Sequence, residues 1–215
     1  MAVVYFPYGK EELSLELPDQ QLQGVLVSRL HNYRAERSEL ELVREALVNP
    51  VGSPRLSELA KDKRKIVIIA SDHTRPVPSK VILPPMLEEI RRVNPQADIT
   101  LLIATGCHRG TTREELVGKF GEDIVARERI VVHDCDDKEN MVRIGVLPSG
   151  GELFINRLAY EADLLLAEGF IEPHFFAGYS GGRKSVDVYK RQVPAHAPRE
   201  DGCAPVFVCS CQLLL

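Results

Sequence analysis

Four continuous apolar runs of strand length, each followed by a polar loop, constrain this chain more than any other feature. The runs are KIVIIA (65–70), DITLLIA (98–104), RIVVH (129–133) and ADLLLAEG (162–169). A strand that is apolar at successive positions is buried on both faces, and a sheet covered on both sides accommodates it. Helical patterning fills the intervals, over residues 79–93 and in TTREELVGKFG (111–121), where Thr111 and Glu114 have the spacing of a capping box. The alternation predicts an α/β fold, a parallel open sheet with helices on both faces. Upstream, residues 3–6 and 13–17 flank PYGKEE and read as a short N-terminal β-hairpin. Residues 35–48 carry a helical period with Leu40, Val43 and Leu47, and Asn49-Pro50 ends it.

Composition narrows the classes of function. Hydrophobic residues make up 44% of 215, an ordinary globular content. The net charge of -4, with both signs mixed along the chain, argues against a nucleic-acid partner. No apolar run approaches the roughly 18 residues of a membrane span, and MAVVYFPYGKEE lacks the pattern of a signal peptide. A cytoplasmic protein with no membrane partner is expected. The five cysteines include no CxxC pair, so neither a zinc ribbon nor a thioredoxin-like motif is supported.

In a Rossmann-like sheet, ligands bind beyond the carboxyl ends of the strands. The loops at that edge are SDHTRPVPS (71–79), TGCHRGTT (105–112), DCDD (134–137) and FIEPHFFAGYSGGRKS (170–185). In the first, Arg75 follows Asp72 and Thr74 in a loop stiffened by Pro76 and Pro78. Its planar fork suits a carboxylate or phosphate, although an Asp–Arg surface pair is the plainer reading. In the second, Gly106 and Gly110 allow close backbone approach, His108 and Arg109 stand beside a helix start, and free amides there suit an anion. In the third, His133 with Asp134, Asp136 and Asp137 lacks metal-ligand spacing and reads as a solvated acidic turn. The fourth concentrates Glu172, His174, Gly178, Gly181, Gly182, Arg183 and Lys184. It is not a P-loop, because the glycine required before the lysine is Arg183. A pair of histidines, His108 and His174, on one edge is what a two-base racemase needs.

DHTRPVPS, GCHRGTT and EPHFFAGYSGGRKS together resemble the nickel-dependent lactate racemase family, over about residues 1–185. The resemblance implies an isomerase of short 2-hydroxy acids. It implies that Lys184 holds a nickel pincer nucleotide covalently through a thioamide, that His108 and His174 are the paired acid/base groups, and that Arg75 orients the substrate carboxylate. It implies further that Asp72, Thr74, Gly106, Gly178, Gly181 and Gly182 seat the cofactor. Proteins that build and insert the cofactor would be partners, beside the small 2-hydroxy acid itself. A glycine-rich nucleotide- or phosphate-binding module without racemase chemistry is the alternative.

The resemblance ends after Ser185. Residues 186–215 hold three of the five cysteines, show no clear period, and contain DVYKRQ, which looks like an assembly junction. The expectation is a lactate-racemase-like N-terminal catalytic and cofactor domain over 1–185, a non-native tail over 186–215, and no C-terminal domain. Such a fragment would be inactive alone. The family's nickel-ligating histidine beyond the lysine has no matching position, and the role is not carried onto His196.

Overall fold

A computed structural model describes residues 1–26, 32–106, 108–146, 150–169, 171, 173–174, 178–180 and 206–208. The chain divides into two compact units, Met1–Ala35 and Glu36–Leu213.

The first unit is built on a hairpin. Strand β1 (Ala2–Tyr8) pairs antiparallel with β2 (Glu11–Leu17), in a register that sets Tyr8 opposite Glu11 and leaves Gly9 and Lys10 as the turn. Gly9 has φ +64, the left-handed backbone that two-residue hairpin turns demand. The strands run longer than the apolar patches at 3–6 and 13–17, because the two-residue turn carries the ladder up to its own edge.

The second unit holds helices α1 (Glu39–Val48) and α2 (Leu56–Ala60), followed by β3 (Lys65–Ser71), α3 (Ser79–Val93), β4 (Asp98–Ala104), α4 (Arg113–Phe120), α5 (Glu122–Arg127) and β5 (Arg129–Val132). Next come β6 (Met141–Val146), β7 (Glu152–Asn156), α6 (Arg157–Tyr160) and β8 (Leu164–Ala167). The short pieces β9 (Pro173–His174), β10 (Gly178–Tyr179) and β11 (Val206–Val208) complete it. The four apolar runs are β3, β4, β5 and β8. They lie parallel in the order β8-β3-β4-β5, and β11 extends the sheet beside β8. Residues 206–208, which the sequence pattern left without a period, thus contribute an edge strand.

Side chains alternate between the two faces of a strand, so each run supplies two cores. Ile66, Ile68, Ala70, Leu101, Ile103, Leu164 and Leu166 pack with residues of α1 to α5, among them Val43, Ile82, Met86, Ile90 and Phe120. Val67, Ile69, Leu102, Leu165 and Ala167 pack on the other face with Ile155 of β7 and Ala159 of α6. One layer is therefore helical, and the other combines α6 with the antiparallel β6–β7 hairpin. Handedness explains the division. The chain steps from β3 to β4 to β5 in one direction, then returns across the sheet to β8, and a right-handed return must cross the opposite face.

Helix α3 contains Pro84 and Pro85 in its interior, which removes two intrahelical donors. The helix persists because Ile82, Leu83, Met86, Leu87 and Ile90 bury one face against the sheet, and packing outweighs local propensity. The capping box of α4 lies one residue beyond the expected pair: Thr112 and Glu115 make the reciprocal bonds. Thr111 is buried instead, and its hydroxyl meets His73.

Candidate functional site

The strand order reverses between β3 and β8, so a crevice opens at their carboxyl ends. The loop after β3 enters it through Asp72, which is 2% exposed. Asp72 Oδ1 accepts the backbone N–H of Thr74 at 3.0 Å and its hydroxyl at 2.6 Å, and Oδ2 meets His108 Nδ1 at 2.5 Å. Burial pushes the Asp72 carboxyl up, but the bonds from Thr74 and His108 outweigh it and hold it below the ordinary carboxylate range. An ionised carboxylate only accepts, so His108 carries its proton on Nδ1. In the neutral imidazole, Nε2 then keeps its lone pair and can serve as a base.

The backbone places this histidine. Gly106 has φ +58, and the turn closes with His108 N–H donating to the Thr105 carbonyl at 3.0 Å. Thr105 is buried and its hydroxyl donates to the His133 carbonyl at 2.5 Å, which ties the loop to the end of β5. The His108 side chain stays 42% exposed, open to a ligand. Arg75 is exposed, and its guanidinium has no hydrogen bond or ion pair with any described residue.

Not every expectation for this edge is met. The α4 N-terminus, expected to suit an anion, is filled by the chain's own Glu115, which accepts the Thr112 N–H at 2.9 Å and two bonds from Arg109 at 2.9 and 2.5 Å. The Arg109 bonds first, and the Thr112 amide second, hold the Glu115 carboxyl down to about 2. Arg109 is thereby engaged within the protein. His133 is 2% exposed and belongs to the core, with Nδ1 on Asn156 Nδ2 at 3.1 Å and its pKa lowered by burial. Asp134, Cys135 and Asp136 bring ligand atoms within 4.8 Å of one another, but Asp134 already accepts the Asp136 N–H at 2.9 Å as a local turn.

The fourth loop is described in part. His174 lies in β9 opposite Gly178 of β10, where φ is +78. This hairpin follows β8 and leaves the sheet at the same edge as the Asp72 and His108 loops. The side chain of His174, and Glu172, Gly181, Gly182 and Lys184, lie outside the described residues.

Three participants escaped the sequence reading. Glu168, next after β8, is 1% exposed; Ser79 Oγ donates to its Oε1 at 2.6 Å, while its Oε2 has no described partner. Burial raises the Glu168 carboxyl to about 6 against the lowering influence of Ser79 and Lys119. Ser71 Oγ, at the end of β3, is likewise buried without a described partner. Lys119 of α4 donates to the Arg75 carbonyl at 2.9 Å. A charged residue ending a fully apolar run was the available signal for Glu168; its partners are 40 or more positions away in sequence.

The sequence profile of the lactate racemase N-terminal domain matches residues 8–188. A lactate racemase of Thermoanaerobacterium thermosaccharolyticum is 59% identical over 186 residues, and one of Lactiplantibacillus plantarum is 54% identical over the same length. Each alignment covers 86% of this chain and 44% of the relative, so the chain spans less than half the length of these enzymes. The solved lactate racemase apoprotein of T. thermosaccharolyticum superposes with a TM-score of 0.74 at 58% identity, over 86% of this chain and 42% of that one. A Thermotoga maritima protein, 22% identical with a TM-score of 0.56, shares the fold over 71% of this chain. With the profile spanning most of the sequence and the loops at the sheet edge inside it, this chain belongs to the lactate racemase N-terminal domain family.

Proposed function

We propose that this chain is the cofactor-bearing part of a racemase of short 2-hydroxy acids, with lactate as the reference substrate. The observation that carries the reading is the Asp72–His108 pair, an imidazole held in one tautomer and open to a ligand, in the same loop cluster as Arg75, whose guanidinium has no partner among the described residues. Lactate racemases of 54–59% identity support the substrate class.

The chain's own groups do the following. Arg75 holds the substrate carboxylate by two parallel bonds, which fixes the hydroxyl-bearing carbon. His108 Nε2 takes the hydroxyl proton from one enantiomer and returns it to the product of the other. Asp72 keeps His108 oriented and stabilises the imidazolium that forms, as the carboxylate of a catalytic triad does. His174 is assigned the same proton role on the opposite side. The Cα–H of a hydroxy acid beside a carboxylate is a poor proton donor, so the remaining need is a hydride acceptor. A nickel pincer nucleotide on Lys184 supplies that acceptor when bound. The described residues fit such a ligand: at the β3/β8 crevice Ser71 Oγ and Glu168 Oε2 are buried polar atoms with no hydrogen-bond partner among the described residues, suited to ligand hydroxyls, although the Ser71 backbone also acts on the Glu168 carboxyl. Gly178, Gly181 and Gly182 are assigned to its phosphate, and Thr74, through Asp72, to the wall of the site.

The domain organisation is part of the same proposal. Residues 1–185 form the catalytic and cofactor unit, residues 186–215 are foreign to its native sequence although Val206–Val208 pair beside β8, and turnover requires a second domain. The test joins residues 1–185 to the remaining length of the T. thermosaccharolyticum relative and co-expresses the protein with the cofactor-building enzymes. Interconversion of D- and L-lactate that depends on nickel, with a mass adduct on the Lys184 peptide, is expected. Racemisation undiminished in His108→Ala, or an unmodified Lys184 in active protein, refutes it. The capped α4 N-terminus removes one support from a plain phosphate-binding module.

A further inference from the structure

Lys119 stands in an unusual place for a lysine. It is half-buried near the C-terminal end of α4, where exposed solvent is close by, and burial lowers its pKa. A lysine at a helix C-terminus ordinarily serves its own last carbonyls. This one donates instead to the carbonyl of Arg75, in the loop after β3, at 2.9 Å. The peptide between Arg75 and Pro76 has no N–H, so that carbonyl is its sole hydrogen-bonding group. The charges of Glu168 and Asp72 both act on Lys119 and favour its ammonium form, which offsets part of the cost of removing it from water.

The loop that carries Asp72 and Arg75 is held at two further points. His73 Nδ1 meets the Thr111 hydroxyl at 3.1 Å and lies 3.8 Å from Glu115. Asp72 meets His108 as above. The first tie lies at the start of α4 and the Lys119 tie near its end, about 10 Å apart along the helix axis. A loop pinned at both ends of one helix cannot rotate about either pin. Neither of those ties touches the Arg75 carbonyl, on which only Lys119 bonds among the described residues; the Arg75 N–H donates within the loop to the Asp72 carbonyl at 3.2 Å.

Building on the racemase reading, we propose that Lys119 is a positioning residue for carboxylate recognition, its ammonium clamping the Arg75 peptide to α4 so that the guanidinium faces the Asp72–His108 pair at a fixed separation. It touches neither substrate nor cofactor. Its loss therefore loosens the grip on the carboxylate more than the proton chemistry at His108.

Two arms test this, with Lys119→Met as the disruptive variant and Lys119→Arg as the conservative one. In the completed racemase, Lys119→Met is expected to raise KM for lactate by about tenfold. Its kcat should stay within about twofold of the parent, and Lys119→Arg should recover most of the KM. In the 215-residue chain, hydrogen exchange in the peptide covering residues 72–75 should quicken in Lys119→Met and return in Lys119→Arg. An unchanged KM, or a kcat that falls while KM holds, overturns the positioning role. Unchanged exchange in Lys119→Met overturns the clamp even if no racemisation is seen. A parent protein without racemase activity whose loop nevertheless loosens in Lys119→Met defeats the functional reading and leaves the clamp standing. Should Lys119→Met not fold, Lys119→Leu, which likewise carries no donor, takes its place under the same criteria.

Discussion

Glu168 should leave a measurable mark on the pH dependence of stability. Its carboxyl is raised from 4.5 to about 6, chiefly by burial. Below pH 4.5 it is protonated in the folded and the unfolded chain alike, and burial carries no charge penalty. Between 4.5 and about 6 the unfolded chain releases the proton while the folded chain keeps it, so stability falls as pH rises. Above that window the loss is complete, and the shift corresponds to about 2 kcal/mol. Buried His133 acts with the opposite sign: its pKa is lowered from 6.5, so stability grows as pH rises towards that value. The lowered carboxyls of Asp72 and Glu115 act below the Glu168 window, where stability is lost as pH falls. A comparison between Glu168→Gln and the parent chain cancels these other groups. Urea unfolding across the range from pH 4.5 to about 7.5 should show the variant gaining about 2 kcal/mol on the parent as pH rises, whatever the constant offset from the new amide. Two stability curves that stay parallel across the range would refute a buried carboxyl held against its charge.

Other substitutions have definite outcomes. Asp72→Asn keeps the size of the side chain but loses the enforced tautomer of His108, so kcat in the completed racemase should fall about 100-fold or more with KM little changed. Gly106→Ala places a Cβ at φ +58 and should cost about 1 kcal/mol in urea unfolding, with activity lost as His108 moves. Leu102→Ala empties a fully buried site between the sheet and the β6–β7 layer and should cost about 2–5 kcal/mol by the same assay. Thr112→Ala removes the α4 cap and should cost about 1 kcal/mol, with faster exchange in the first turn of that helix.

Much of this chain is written locally. A residue such as Ile68 or Leu101 sits in a run with no polar neighbours, and such a run has no stable place except between two covering layers. The four sheet strands, the helices at 79–93 and after Thr111, and the edge that gathers Asp72, Arg75 and His108 all follow from that pattern. The β6–β7 hairpin was missed although MVRIGV and ELFIN are β-prone and PSGG between them is a turn signal. It was overshadowed by the parallel runs, which explain a sheet without it. The capping box was displaced by one residue because Thr111 and Thr112 offer the same hydroxyl, and only burial of the first against His73 selects the second.

By itself, then, the sequence determined which segments are buried, where the chain turns, and which loops carry the chemistry, because hydrophobic period and turn residues act over a few positions. The tertiary structure alone decided who meets whom: Asp72 with His108 across 36 positions, Lys119 with Arg75 across 44, Ser79 with Glu168 across 89. Those pairings come from strand order and the handedness of crossovers, which bring distant strand ends to one crevice. A carboxylate's role there is set by the donor it faces, and no local pattern encodes that donor.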